Sequence, residues 1–166
     1  LFNKGKYNAL APELKKVIDV AVEAASADMS WKAIERNSKD YAEMKKIVND
    51  VTWDGKWWKR YFAEKGNPIG SNENTYGKLY TNGQSWPVIS GFAEGERALT
   101  ALQSTFDIMN AKNGIKLSWP GYQGFDPKLG GVSTYPPGAK ENGGIFLHAN
   151  PWVMIAETIV GNGDRA

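Results

Sequence analysis

Apolar and polar positions in the first fifty residues follow a helical period. Pro12 suits a first turn, and Leu14, Val17, Ile18, Ala21 and Ala25 then fall on one stripe, with Lys15, Lys16 and Glu23 away from it. The pattern predicts a second helical stretch around Trp31 to Ile34, and a third opened by Ser38 that carries Tyr41, Met44, Ile47 and Val48. These read as a helical hairpin burying its stripes, and no chemistry is visible in them. From about Asp50 the pattern changes. VTWDGKWWKRYF alternates bulky and polar residues around an Asp54-Gly55 turn signal, which suits a hairpin or an extended segment. Gly66 to Gly83 is dense in Gly, Asn, Pro and Ser, and its interleaved Ile69, Tyr76, Leu79 and Tyr80 predict a long but ordered loop. Pro87 suits a helix start. Ala98, Leu102, Phe106 and Met109 then share one face of a helix that stops near Asn110 and Gly114. After a second loop punctuated by Gly and Pro, a closing helix carries Trp152, Ile155 and Ile159 on one face and ends at Gly161. Helices separated by such loops predict a mainly α scaffold that presents a loop-built cleft.

The chemistry concentrates between Tyr135 and His148, in YPPGAKENGGIFLH. Prolines stiffen this run and glycines open backbone conformations closed to other residues, so one irregular shape can be held. Asn150 suits an N-cap and Pro151 the first helical position. His148 then sits just ahead of a helix N-terminus, where the dipole favours an anion. Two readings stand: a sugar-and-phosphate site, or a rigid surface turn whose lone histidine has no role.

At 166 residues the length fits one ordinary domain. A formal charge of +2 with scattered basic residues gives no footprint for nucleic acid. Seven Trp and seven Tyr supply either core or flat platforms for sugars, and Trp86 and Trp119 could stack on a sugar face, with burial against helices favoured for each. The chain has no cysteine, which removes thiolate metal sites and fits either cytosol or periplasm; a cytoplasmic location is the expectation. No apolar run approaches the ~20 residues that span a bilayer, so no membrane association is expected.

Function classes narrow further by what is missing. A single histidine rules out a His-rich metal site and leaves a Ser-His-Asp triad formal only. Neither GxxxxGK[ST] nor a helix-opening GxGxxG occurs, which disfavours nucleotide cofactors. Paired carboxylates would suggest glycoside cleavage, and the loops offer Glu73, Asp126 and Glu141. Glu141 is the best cleft candidate because Lys140 and Asn142 flank it with complementary polar groups. Alone it would accept hydrogen bonds from sugar hydroxyls rather than act as an acid, or else form an exposed pair with Lys140.

The blocks WDGKWWKRYF, GNPIGSNEN, NGQSWPVISG, NGIKLSWPGYQGFDPKLGGVSTYPPGAKENGGIFLHANPWVMIAET and GNGDRA, in this order, resemble the cellobiose and chitobiose phosphorylases over residues 41–166. The resemblance implies part of an (α/α)6 barrel with long ordered loops rich in Gly and Pro, preceded by a helical hairpin. It implies cleavage of a β-linked disaccharide by inorganic phosphate, a co-substrate, with no cofactor and no metal. Tyr135, Lys140 and Glu141 match sugar-contacting positions of that family, and His148 matches a phosphate ligand. The family's general acid lies upstream in an Asp-Trp-Asn-Asp-like motif that this sequence lacks, and further phosphate contacts are expected beyond Ala166. The expectation is therefore a segment without catalytic residues of its own and inactive alone, with an incomplete barrel that invites homo-oligomers. Residues 1–46 resemble the C-terminal helices of solute-binding proteins from tripartite ATP-independent periplasmic transporters, which makes 1–40 a helical segment of separate origin or a diverged hairpin. A non-catalytic carbohydrate-binding module, or a chimeric or artificial chain including the solute-binding piece, are the alternatives.

Overall fold

The computed structural model describes residues 3–166. The first two residues of the predicted front segment, Leu1 and Phe2, lie outside the described residues. Among those described there are five α-helices and six two-residue strands, so the chain is mainly helical. It divides into two compact units, Leu1–Glu43 and Met44–Ala166.

In the first unit, helix α1 (Lys4–Asn8) is capped by Asn3, whose side chain accepts from the Lys6 N–H at 3.1 Å. Tyr7 donates to Asp19 Oδ1 at 2.6 Å and Lys15 Nζ donates to the Asn8 carbonyl at 2.8 Å, tying α1 to the helix that follows. That helix, α2 (Pro12–Ile47), opens at Pro12 as expected, but the predicted second and third stretches are one continuous helix with it. Ser38 does not cap anything; its hydroxyl donates to the Ile34 carbonyl at 2.9 Å, as Ser30 does to Ser26 at 2.8 Å. Ion pairs one turn apart, Asp28–Lys32 at 2.7 Å and Glu35–Lys39 at 2.8 Å, lie along it. No residue of α2 is buried, so the predicted hairpin with buried stripes is absent.

The second unit begins with the last four residues of α2, which pass into a π-helical turn, Val48–Thr52. Buried Asn49 donates to the Phe92 carbonyl at 2.7 Å, and Arg97 donates to the Asn49 carbonyl at 2.8 Å. The Asp54-Gly55 signal is a tight turn: the Asp54 N–H bonds the Trp57 carbonyl at 3.0 Å, and Gly55 takes φ 91°. Strand β1 (Tyr61–Phe62) pairs antiparallel with β2 (Pro68–Ile69). The loop beyond leads into β3 (Leu79–Tyr80) and then into helix α3 (Thr81–Ile89).

Helix α3 starts six residues before Pro87 (87 − 81), which sits inside it rather than at its start. Burial of Thr81, Gln84, Ser85, Pro87 and Val88 outweighs the cost of an interior proline. Helix α4 (Arg97–Met109) buries Leu102 and Met109 of the predicted stripe, leaves Ala98 and Phe106 half-buried, and buries Ala101 and Thr105 besides. Strands β4 (Asn110–Ala111) and β5 (Gly114–Ile115) form a hairpin where the helix was expected to stop. Strand β6 (Ser118–Trp119) returns to pair antiparallel with β3. Helix α5 (Asn150–Ile159) ends as expected: Gly161 has φ 87°, its N–H bonds Thr158 at 3.1 Å, and the Asn162 N–H bonds Glu157 at 2.8 Å. Its buried residues are Val153, Ala156 and Glu157, whereas Ile155 and Ile159 of the predicted face are exposed.

Helix α3 packs on α4 and α5. One core cluster joins Trp57, Trp58, Leu79, Ala101 and Met109; another joins Val88, Leu102 and Ala156. Between these elements, three amide side chains imitate a missing strand. Each grips the N–H and the C=O of one distant residue: Gln84 grips Trp58 (2.9 and 2.9 Å), Asn142 grips Tyr122 (2.7 and 2.9 Å), and Asn150 grips Ile115 (2.7 and 3.1 Å). Backbone groups in irregular segments, and those of Ile115 in β5, are satisfied this way.

Candidate functional site

Asn142 sets the shape of the Tyr135–His148 stretch. Its side chain is fully buried, and besides Tyr122 it donates to the Tyr135 carbonyl at 2.6 Å. The Gly138 N–H bonds the Asn142 carbonyl at 2.7 Å, and the Gly144 N–H bonds the Lys140 carbonyl at 2.9 Å, closing a compact knot. A side chain at Gly144 would place its Cβ only 2.4 Å from the Lys140 carbonyl oxygen, so the close approach requires glycine. Lys140 itself takes a positive φ of 46°. Asn142 is therefore the anchor of the knot and not a polar group offered to the cleft.

This knot turns Glu141 into a cavity of about 380 Å³, whose lining also includes His148, Arg60, Tyr61, Tyr80 and Asn82. Neither oxygen of the Glu141 carboxylate has a hydrogen-bond or ion-pair partner among the described residues. The alternative of a Glu141–Lys140 pair is not what forms: Lys140 Nζ lies 4.8 Å from the Tyr135 ring centroid instead. Tyr135 and Lys140 thus form a couple beside the cavity and do not line it.

His148 is held by rings. Phe146 and Trp152 meet it edge-on, each at 5.5 Å between centroids, and Trp86 lies 5.3 Å from Trp152. Both imidazole nitrogens are without a hydrogen-bond partner among the described residues. The histidine lies two residues before α5, as expected. Asn150 does not cap that helix, however; it is the first helical residue, and its amide is spent on Ile115 and, at 2.9 Å, on the Phe146 carbonyl.

Trp119 packs against the first core cluster, with Lys116 Nζ 3.4 Å from its ring centroid. Trp86, for which burial was favoured, is 45% exposed. Asp126 spends one carboxylate oxygen on the Lys128 N–H at 2.9 Å and lines a different cavity from Glu141; Glu73 lines neither. The residues that sequence reasoning missed are Arg60, Tyr61, Tyr80 and Asn82. Tyr80 and Tyr122 share a hydrogen bond at 2.6 Å, and burial first, then this bond, pushes the Tyr80 phenol far above its usual range. It remains a neutral hydroxyl in the cavity wall. No group of three or more His, Cys, Asp or Glu that could hold a metal occurs among the described residues. No helix among them is long and apolar enough to cross a membrane.

Residues 13–166 match the family model described as the glycosyl hydrolase 94 superfamily, catalytic domain. That match takes in most of α2; it adds nothing in favour of the likeness of the front to solute-binding proteins. Among curated relatives, a 3-O-beta-D-glucopyranosyl-beta-D-glucuronide phosphorylase of Paenibacillus borealis is 36% identical over 72% of this chain and 15% of its own length. An N,N'-diacetylchitobiose phosphorylase of Vibrio proteolyticus is 32% identical over 80% of this chain and 17% of its own length. A cellobionic acid phosphorylase of Neurospora crassa is 30% identical over 61% of this chain and 13% of its own length. The chain thus spans less than a fifth of the length of these relatives.

Proposed function

The chain belongs to the glycosyl hydrolase 94 superfamily, and on that premise we propose that it forms the acceptor and phosphate wall of a disaccharide phosphorylase site. The substrate is a β-linked disaccharide of the cellobiose or chitobiose type, with inorganic phosphate as co-substrate and no further cofactor. Phosphate is already ionised, so an oxygen of it attacks the anomeric carbon without a general base. The glycosidic bond breaks with its electron pair on the departing oxygen, which takes a proton from a carboxylic acid. The products are a sugar 1-phosphate of inverted configuration and a shortened sugar. The acid belongs to an Asp-Trp-Asn-Asp-like motif that this sequence does not contain, so these 166 residues bind but do not turn over.

In this reading the unpaired carboxylate of Glu141 accepts hydrogen bonds from sugar hydroxyls. Lys140 and Tyr135 contact the sugar from beside the cavity. His148 donates a ring N–H to a phosphate oxygen, its orientation fixed by Phe146 and Trp152. The helices are part of an (α/α)6 barrel, and the location is cytoplasmic. The observation that supports the proposal is the convergence of Glu141 and His148 on one cavity, both with free polar atoms.

Isothermal titration of the purified chain with phosphate, and with disaccharide in its presence, tests it. His148→Ala should abolish the phosphate response, while Glu141→Gln should weaken disaccharide binding and leave phosphate unchanged. A phosphate response indifferent to His148→Ala, or release of sugar 1-phosphate by the chain alone, would refute the proposal.

A further inference from the structure

A larger cavity, of about 600 Å³, lies between the loop at residues 67–76 and the loop at residues 122–129, and the site described above does not use it. We propose that it is a second saccharide site that takes a neutral oligosaccharide. The inference rests on the proposed function only in naming sugar as the ligand chemistry.

Two exposed rings line this cavity, Tyr76 at 40% and Phe125 at 65% exposure. Both are mounted on loops held by internal hydrogen bonds. On one side, the Asn74 side chain accepts from the Ser71 N–H at 2.8 Å and donates to the Pro68 carbonyl at 3.1 Å. The Gly77 N–H donates to the Pro120 carbonyl at 2.7 Å. On the other, Ser133 Oγ accepts from the Asp126 N–H at 2.9 Å. Rigid loops that hold flat apolar rings toward a cavity lower the ordering cost of binding, and such rings suit the C–H faces of pyranoses.

The polar lining fits the same ligand. The Tyr76 hydroxyl, Gln123 Oε1 and Asp126 Oδ2 have no partner among the described residues and are free to meet hydroxyl groups. Asp126 and Lys128 carry opposite charges, so the lining has no net sign to select an ion. Position supports the assignment too. Tyr80 lines the Glu141 cavity and Tyr122 lines this one, and their hydroxyls touch at 2.6 Å, so the two cavities lie on either side of one tyrosine pair.

The test titrates the 166-residue chain with cellotetraose, followed by calorimetry and by amide chemical shifts. Shifts should cluster at residues 74–76 and 122–126. Phe125→Ala, at an exposed ring that the fold does not need, should weaken binding roughly tenfold, as expected for loss of one stacked ring. Glu141→Gln should leave the shifts at residues 74–76 and 122–126 unchanged, whatever it does to sugar in the Glu141 cavity. No shifts at those residues, or equal affinity in Phe125→Ala, would overturn the second site. Binding lost only in Glu141→Gln would also overturn it, while leaving the Glu141 and His148 reading intact.

Discussion

Replacing Asn142 with alanine is the sharpest perturbation of the loop that carries Glu141. The side chain is fully buried and makes three hydrogen bonds to backbone: from the Tyr122 N–H at 2.7 Å, to the Tyr122 carbonyl at 2.9 Å and to the Tyr135 carbonyl at 2.6 Å. Three bonds at a net ~1 kcal/mol each set a floor of about 3 kcal/mol. The substitution removes only the side-chain partner and strands three backbone groups, each with a desolvation penalty of about 1–3 kcal/mol, so the expected loss lies between about 3 and about 9 kcal/mol. That is a large share of the ~5–15 kcal/mol that holds a domain together. Asn142→Asp refines the test. It keeps the acceptor for Tyr122 but turns a carboxylate oxygen toward two carbonyls, so it should be at least as damaging at neutral pH and recover part of the loss where the acid is protonated and can donate. Urea unfolding measures both, with calorimetry for phosphate binding on whatever fraction stays folded. A loss below about 1 kcal/mol for Asn142→Ala would refute the claim that this amide organises the loop.

Further outcomes follow from other features. Gly144→Ala forces a Cβ to within 2.4 Å of the Lys140 carbonyl and should cost about 1–3 kcal/mol in thermal unfolding, whereas Gly131→Ala, with nothing within 4 Å, should be neutral; equal melting temperatures would contradict the close-approach argument. The Tyr80 phenol is raised above 10.0 in the folded chain, so its stabilising contribution is complete below that pH and is lost as pH rises through the folded value; Tyr80→Phe should flatten the fall in urea midpoint above pH 10, and an unchanged slope would count against it. Trp31 is 71% exposed on α2 and Ile34, three residues on along the same face, is exposed too, so sedimentation should show concentration-dependent self-association that Trp31→Glu reduces; a monomer at all concentrations would contradict this.

What could be read along the chain was what repeats locally. Helix α4 declared itself by period and by the residues that end it, and the Asp54-Gly55 turn and the αL glycine after α5 by residue type. The continuity of α2 was hidden because a serine is both a good cap and a tolerable interior residue, and Ser38 donates back to Ile34 rather than forward. Asn150 and Asn142 misled for a related reason. An asparagine beside a helix or in a loop reads as cap or ligand, but here each amide replaces a peptide group for a partner 35 or 20 residues away. Glu141 and His148 were visible as chemistry in one run. Tyr80 and Asn82 reach their cavity through the pairing of β3 with β6 and the start of α3, a long-range register that no local pattern carries.

The most direct measurement is a crystal structure of the chain soaked with a β-linked disaccharide and phosphate. It should show a sugar hydroxyl within hydrogen-bond distance of the Glu141 carboxylate and a phosphate oxygen against a ring nitrogen of His148, in the one cavity they share. Phosphate bound elsewhere, or sugar density that leaves Glu141 facing water, would contradict the account.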